Sequence, residues 1–350
     1  MKYARLGKSG LQVSKVCLGT MTWGEQNTQE DATQQIDYAI EQGVNFIDTA
    51  EIYAVPPKPE TQGDTERMLG NWLSKHPVKR QGLVIATKIA GPGIEWIRKG
   101  TPITPAGIRE AIDGSLRRLQ TDYIDLYQLH WPNRNSPHFC KHWPGTLDYQ
   151  AMDVRREREE YMAILCALDE AVRAGKIRYC GLSDDTPWGI KEYLNLADKH
   201  DLPQMVSIQN ELNLLHLKDS PHLLETCVLD DVAYLPWSPL AGGVLTGKYR
   251  NGELPENTRW SMAQRNGLFR DTVAVHAAVE RYYAVAKKHN LSLTQLCLAW
   301  INQLPSVTST IIGATTMEQL AEDIAAFDIV LNDEVISDVL EVIKEYPMPF

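Results

Sequence analysis

Eight short apolar runs, each followed by a longer amphipathic stretch, constrain this chain more than any other feature it carries. The runs span residues 16–20, 46–50, 83–88, 123–130, 177–183, 205–210, 232–238 and 308–313, and their cores (VCLG, FIDTA, LVIAT, IDLYQL) are almost continuously apolar. A strand reads that way when both of its faces are covered, as in a parallel sheet wrapped by helices. Helical periodicity between the runs predicts helices over residues 29–42, 65–75, 105–119, 158–174, 188–199, 221–228, 272–289 and 316–326. Alternation of strand and helix selects a parallel α/β architecture, and eight repeats select a closed (β/α)8 TIM barrel. A further helix over 294–303 precedes the eighth strand, and one over 333–345 packs outside the barrel. Ahead of the first strand, YARLGKSGLQVS predicts a β-hairpin about a glycine-containing turn, placed to plug the barrel bottom.

A barrel of this kind accommodates residues 1–350 as a single domain. The formal net charge of −10 repels a polyanion, and no basic stretch with interleaved aromatics tracks a phosphate backbone, which argues against nucleic acid as a partner. No run approaches the ~18 apolar residues of a membrane span. The start, MKYARLGKSG, lacks the apolar core of a signal peptide, so a cytoplasmic protein with no membrane partner is expected. Cys17, Cys140, Cys166, Cys180, Cys227 and Cys297 are scattered without a CxxC pair and read as free, mostly buried thiols.

Three connections, over 53–64, 132–157 and 240–270, are too long to be mere links, and all three follow strands. That places them at the C-terminal mouth, where barrel enzymes keep their chemistry. Around the same mouth, consecutive strands end in polar groups: Asp48 and Tyr53 in FIDTAEIY, Lys88 closing LVIATK, His130 closing DLYQLHWP. A lysine after a strand is usually a solvated strand end. Three neighbouring strands ending in titratable groups point instead to a site. The chemistry that needs this set is hydride addition to a carbonyl, which leaves an alkoxide to be protonated. A phenol with pKa ~10 is too weak an acid at neutral pH unless its anion is stabilised. Lys88 beside Tyr53 lowers the phenol pKa, Asp48 keeps Lys88 charged, and His130 donates to the carbonyl oxygen.

GVNFIDTAEIY, ATK, DLYQLHWP, IRYCGLS, IQN, PWSPLAGGVLTGKY and IIGATTMEQL, in this order over nearly the whole chain, resemble the motifs of the aldo-keto reductases. AEIYAVPPKPETQG and the long loop after HWP are similar to the bacterial Tas-type branch of that family. The resemblance implies Tyr53 as acid with Asp48, Lys88 and His130 in support, a small-molecule carbonyl substrate, and NADPH/NADP+ as coenzyme. Asp48, with Gly19, Thr20 and Met21, matches the nicotinamide-ribose corner. Trp237 offers a π-face to the nicotinamide ring, and Ser183, Asp184 and Gln209 meet its carboxamide. Ser238, Pro239, Leu240, Ala241, Gly242, Gly243 and Lys248 match the loop over the pyrophosphate, and Gly313, Thr315, Gln319 and Asp323 the adenosine end.

Two residues depart from the family pattern. Asp184 stands where Asn is usual, which replaces an amide by an acceptor-only carboxylate; it is expected to weaken the carboxamide grip and favour the oxidised ring, so that Asp184→Asn tightens binding. Asp323 likewise replaces a common Asn, and no Arg occupies the Thr315 or Gln319 positions to clamp a 2′-phosphate, which leaves NADH open. Thr315 with Glu318 reads as a capping box as well as a binding site. Trp23, Trp131, Phe139 and Trp143 lie in mouth loops and are expected to line an apolar substrate pocket. GGVLTGKY falls short of a phosphate-binding P-loop because Tyr249 stands where Ser or Thr must ligate magnesium. HFCKH (His138, Cys140, His142) suggests zinc but lacks a fourth ligand, and no metal is expected. Two rivals remain: a nucleotide-sensing regulatory subunit, as some relatives of this fold are for potassium channels, and a metal-dependent barrel hydrolase, for which only Asp48 and His130 qualify as ligands.

Overall fold

The computed structural model describes residues 1–139, 141–262 and 270–350. In chain order its elements are β1 (Tyr3–Arg5), β2 (Gln12–Ser14), β3 (Val16–Gly19), α1 (Gln29–Glu41), β4 (Phe46–Asp48), α2 (Asp64–Lys75), β5 (Val84–Ile89), α3 (Pro105–Leu119) and β6 (Ile124–Leu129). There follow α4 (Val154–Arg173), β7 (Ile177–Ser183), α5 (Pro187–His200), β8 (Met205–Gln209), α6 (His222–Leu229), β9 (Ala233–Tyr234), α7 (Val273–Lys288), α8 (Leu293–Asn302), β10 (Thr310–Ile312), α9 (Met317–Ala325) and α10 (Asp333–Glu345). Eight parallel strands run in the order β10-β3-β4-β5-β6-β7-β8-β9. The ring closes where Tyr234 bridges Val307 and the Ile311 N–H donates to the Pro236 carbonyl at 2.9 Å. This is the (β/α)8 barrel that the alternation predicts, with α8 and α10 as its extra helices.

Side chains alternate across each strand, and the alternation sorts the apolar ones into two cores. Cys17, Phe46, Val84, Ala86 and Leu126 fill the barrel interior, while Leu18, Ile47, Ile85 and Tyr127 pack outward against the helices. The hairpin β1–β2 is antiparallel, and it sends Leu6, Leu11 and Val13 into the interior core as the bottom plug. Its tip comes close to the barrel backbone: Gly7 has φ +51°, and a Cβ there would collide with the Val206 carbonyl.

Two boundaries differ from the sequence expectation for physical reasons. α4 begins at Val154, four residues ahead of the expected 158, because Asp153 caps it by accepting from the N–H groups of Arg155 and Arg156. After Val154 that first turn is all charged and is supported by Arg155–Glu159 and Arg156–Glu160 pairs at 3.1 Å, so apolar periodicity does not register it. β9 keeps two residues of the expected seven, since Pro236 has no N–H to give the ladder; Trp237 rejoins it only as an isolated bridge to Glu211, and Ser238 turns away at φ 50°.

Candidate active site

The inward faces of the strands end in polar groups at the mouth. Phe46, Val84, Ala86 and Leu126 point into the barrel, so the next residues on those faces are Asp48, Lys88 and Gln128. Strand pairing sets Asp48 opposite Ala86 and Lys88 opposite Gln128. The buried Lys88 Nζ donates to Asp48 Oδ2 at 2.5 Å, to the Thr49 carbonyl at 2.9 Å and to the Tyr53 hydroxyl at 3.4 Å. Asp48 Oδ1 accepts from Gln128 at 3.1 Å and from Gln209 at 2.9 Å. A buried ion pair is tolerable when its remaining protons and lone pairs find partners, and these do. His130 sets its ring edge-on to Tyr53, with centroids 5.5 Å apart. The structure therefore brings together the four residues singled out for catalysis.

The protonation states follow from burial and charge. Burial pushes the Tyr53 phenol above its ordinary value; Lys88 pulls it down, while Asp48 and Asp184 add to the rise. The expectation of a net lowered phenol is corrected here: Lys88 acts in the expected sense, but desolvation of the anion outweighs it. For Lys88 burial works downward, and Asp48 with Tyr53 outweighs it, leaving the ammonium above its ordinary value. His130 is pushed well below the histidine range, by burial first and then by Lys88, so it is a neutral imidazole whose Nδ1 is buried without a partner among the described residues.

The residues assigned to a coenzyme lie around this centre. The Thr20 N–H and hydroxyl both reach the Asp48 carbonyl, at 3.1 and 3.0 Å. Gly19 lies against β10, and a Cβ there would sit 2.7 Å from the Ile312 carbonyl oxygen. Ser183 and Gln209 are register partners at the ends of β7 and β8, with Trp237 beyond β9. After Trp237 the chain turns through Ser238, Ala241, Gly242 and Gly243, all at positive φ (50°, 49°, 66° and 97°), with Pro239 and Leu240 between. Turns of this kind gather backbone N–H groups into anion-binding concavities. Cations surround it: a Cβ on Gly243 would lie 2.7 Å from Lys248 Cε, and one on Gly242 3.7 Å from Arg259 Cδ and 3.8 Å from Arg270 Nη1. Further along, Thr315 and Gln319 bond to each other at 2.9 and 3.1 Å, and Gly313 precedes them with open space where a Cβ would be. Asp323 is buried without a hydrogen bond or ion pair among the described residues, and burial lifts its carboxyl to about 8, with Glu322 adding and Lys248 opposing.

Several expectations need correction. The N-cap of α9 is Thr316, not Thr315, and it is Gln319 rather than Glu318 that reaches back to Thr315. Trp23 is fully buried, with its indole N–H on Gln35 at 2.8 Å, because the chain after β3 turns inward under α1; it lines no pocket. Trp131 packs in the small cluster that includes Tyr53, Phe139 lies over Trp237 at 6.1 Å, and Trp143 stays half exposed. Tyr249 of the P-loop-like segment is core-packed, stacked on Trp260 at 4.4 Å. His138 and His142 of HFCKH face different partners, the Asp184 carboxylate at 3.2 Å and the Phe350 carbonyl at 3.2 Å, and Cys140 lies outside the described residues, as does 263–269 of the third long loop. Cys17, Cys180, Cys227 and Cys297 are buried free thiols, whereas Cys166 is exposed. No helix among the described residues is long and apolar enough to cross a membrane.

Sequence reasoning missed three residues here. Gln128 holds Asp48, and a lone amide inside the apolar run IDLYQL was its signal. Arg259 approaches Met21 Sδ at 3.0 Å, and burial with the like charge of Arg270 brings its guanidinium down to about 10. His138, singled out in the sequence only as a zinc candidate, reaches Asp184 from the second long loop.

A family model described as the Aldo/keto reductase family matches residues 15–344. Protein tas of Escherichia coli is 44% identical over all of this chain and 99% of its own length. The uncharacterized oxidoreductase YrpG of Bacillus subtilis is 32% identical over 96% of this chain and 94% of its own. A probable voltage-gated potassium channel subunit beta of Arabidopsis thaliana is also 32% identical, over 99% and 98%.

Proposed function

Because the chain belongs to the aldo/keto reductase family, and is in that sense an oxidoreductase, we propose that it reduces aldehydes or ketones to alcohols with NADPH, Tyr53 supplying the proton. The observation that carries the reading is the position of Lys88 Nζ, shared between Asp48 Oδ2 at 2.5 Å and the Tyr53 hydroxyl at 3.4 Å. A coenzyme of this kind suits the residues present. The turn from Ser238 to Gly243, with Lys248 and Arg259 beside it, is a cationic concavity in a chain of net charge −10, the local compensation an anionic dinucleotide needs. When bound, the nicotinamide supplies a hydride to the carbonyl carbon.

The chain's own residues do the rest. Tyr53 stays protonated in the closed site, because burial raises its phenol, and gives up its proton to the oxygen that gains charge. Lys88 then stabilises the phenolate at close range, with Asp48 holding the ammonium in place. His130, neutral and edge-on to Tyr53, donates to the same oxygen and orients it. Trp131 beside Tyr53 supplies apolar cover that keeps water away.

The test is a panel of carbonyl compounds assayed with NADPH and with NADH, run in parallel on Tyr53→Phe. General-acid catalysis contributes about 10²–10⁴-fold, and the variant is expected to lose that much in kcat while its coenzyme Kd stays within about twofold. A variant as active as the parent overturns the reading. The similarity to a channel subunit favours a second reading, nucleotide sensing with little turnover. Coenzyme binding without loss of dihydronicotinamide absorbance on any carbonyl compound would select it.

A further inference from the structure

Five buried carboxylates around the mouth are paired with lysine or arginine. Asp48 pairs with Lys88, Glu51 with Arg98, Asp185 with Arg134, Glu211 with Arg270 and Asp219 with Lys218. Asp184, equally buried, faces a histidine: its Oδ1 lies 3.2 Å from His138 Nδ1 and accepts from the Trp237 indole N–H at 3.2 Å. Asp184 follows β7 in the left-handed region, at φ 51°, with its N–H on the Gln209 carbonyl at 3.1 Å. That backbone twist turns its carboxylate between Trp237 and the loop that carries His138.

The histidine is as constrained as the carboxylate. His138 is buried to 2% exposure, and its Nε2 lies 3.3 Å from the Asp185 carbonyl. A carbonyl oxygen only accepts, so Nε2 carries a hydrogen. With Nε2 carrying a hydrogen, a second proton between Nδ1 and Asp184 Oδ1 would keep two lone pairs from facing each other at 3.2 Å in a buried place. Whether that proton sits on the imidazole or on the carboxyl, the pair carries no net charge. The neighbouring Arg134–Asp185 and Lys218–Asp219 pairs are balanced too.

This matters because Asp184 stands beside the reacting centre. Its carboxylate is among the groups that push the Tyr53 phenol up, so an unbalanced charge there is felt at the site. A bare carboxylate would favour the oxidised nicotinamide, which is a cation, over the reduced, neutral ring. We propose that His138 is a positioning and charge-compensating residue: it fixes the Asp184 carboxylate beside Trp237 and cancels its charge, so that Asp184 serves the nicotinamide end as a hydrogen-bond acceptor without biasing the site toward the oxidised coenzyme. The proposal rests on the reading of the site as a nicotinamide-coenzyme site.

The experiment measures Kd for NADP+ and for NADPH, by protein fluorescence quenching, on the parent, His138→Gln, Asp184→Asn and the double variant. Glutamine keeps a donor for the carboxylate but brings no proton with it. The ratio Kd(NADP+)/Kd(NADPH) is expected to fall about three- to tenfold in His138→Gln, the size of one charge a few ångströms away once water screens it. In the double variant, which has no charge left to balance, the ratio returns to within about twofold of the parent, and Asp184→Asn alone keeps it there. A purely structural anchor would move both constants by the same factor, and that result, or a double variant that keeps the shifted ratio, overturns the proposal. Should neither coenzyme form bind the parent at all, it is the proposed function that fails, and not this assignment alone.

Discussion

At the scale of single residues, the Lys88–Asp48 pair is held by geometry that neither partner keeps alone. Replacing Lys88 by Met leaves the Asp48 carboxylate buried with only two amide donors, and breaking a buried pair this way costs about 3–5 kcal/mol. Lys88→Met with Asp48→Asn removes both charges, so urea denaturation is expected to show the double variant more stable than the single one. Asp323 makes the opposite case, a carboxyl whose folded value of about 8 lies above the ~3.9 of an unfolded chain. Below about pH 4 both states are protonated and the group is neutral to stability. Between about pH 4 and 8 the unfolded chain ionises and the folded one does not, so stability falls as pH rises, and the loss is complete above 8. Asp323→Asn removes that slope: the variant should match the parent near pH 4 and exceed it by about 5 kcal/mol at pH 8, in the coenzyme-free protein. Equal thermal midpoints across the range would contradict the buried, unpartnered placement. Tyr53 gives a pH signature in activity. With the phenol above its ordinary value, kcat for carbonyl reduction should stay flat from about pH 6 to 9, while alcohol oxidation, which needs the phenolate, should rise with pH over the same span. An alkaline decline in reduction below pH 9 would assign the proton to another group.

Elements carry their own constraints, and the hairpin plug shows how backbone geometry sets them. Gly7 combines φ +51° with a Cβ position blocked by the Val206 carbonyl, so an alanine there must push the hairpin off the barrel floor. Gly7→Ala is expected to lower the urea midpoint by the equivalent of about 2 kcal/mol or more, since Leu6, Leu11 and Val13 lose their seat in the interior core. A smaller effect would show that the plug rides on the barrel without supporting it. The same element scale shows what the residue order reveals in advance. The strand ends were legible: Asp48 and Lys88 follow the inward-facing Phe46 and Ala86 by strand parity, so the candidate cluster could be read there, while Gln128, two residues past Leu126 on the same face, went unmarked inside an apolar run. Helix starts made of charged residues were not legible, as at Asp153, because their stabilisation lies in caps and ion pairs rather than in an apolar stripe. Nor were contacts between distant loops: His138 on Asp184 and Arg259 on Met21 depend on where 132–157 and 240–270 fold back, and a loop's path is set by tertiary packing. Trp23 illustrates the reverse error, a loop aromatic taken for a pocket wall that the fold draws into the core.

Across the whole molecule, closure of the ring decides how the chain comes apart. The last barrel strand, β10, pairs with the first, β3, so residues near 310 lie in register with residues near 16. The opposite seam is sealed by Tyr234 against Val307 and by the Ile311 N–H on the Pro236 carbonyl. The mouth is tied in the same long-range way: Phe350 stacks on His216 at 5.5 Å, Thr272 Oγ1 donates to the Pro349 carbonyl at 2.8 Å, and His142 reaches the Phe350 carbonyl. A cut anywhere in such a ring exposes strand edges on both sides together with the interior core, and a half-barrel has no covered apolar face to retreat to. We therefore expect residues 1–350 to unfold as one cooperative unit. Far-ultraviolet ellipticity, which follows the helices, and tryptophan fluorescence should trace the same urea transition. Trp72 lies on the outer layer and Trp237 at the mouth, so fluorescence samples places that a stepwise disassembly would separate. Two resolved transitions, or a fluorescence change that precedes the loss of helix, would mean that the chain divides into parts stable on their own, and the reading of it as one domain would fall.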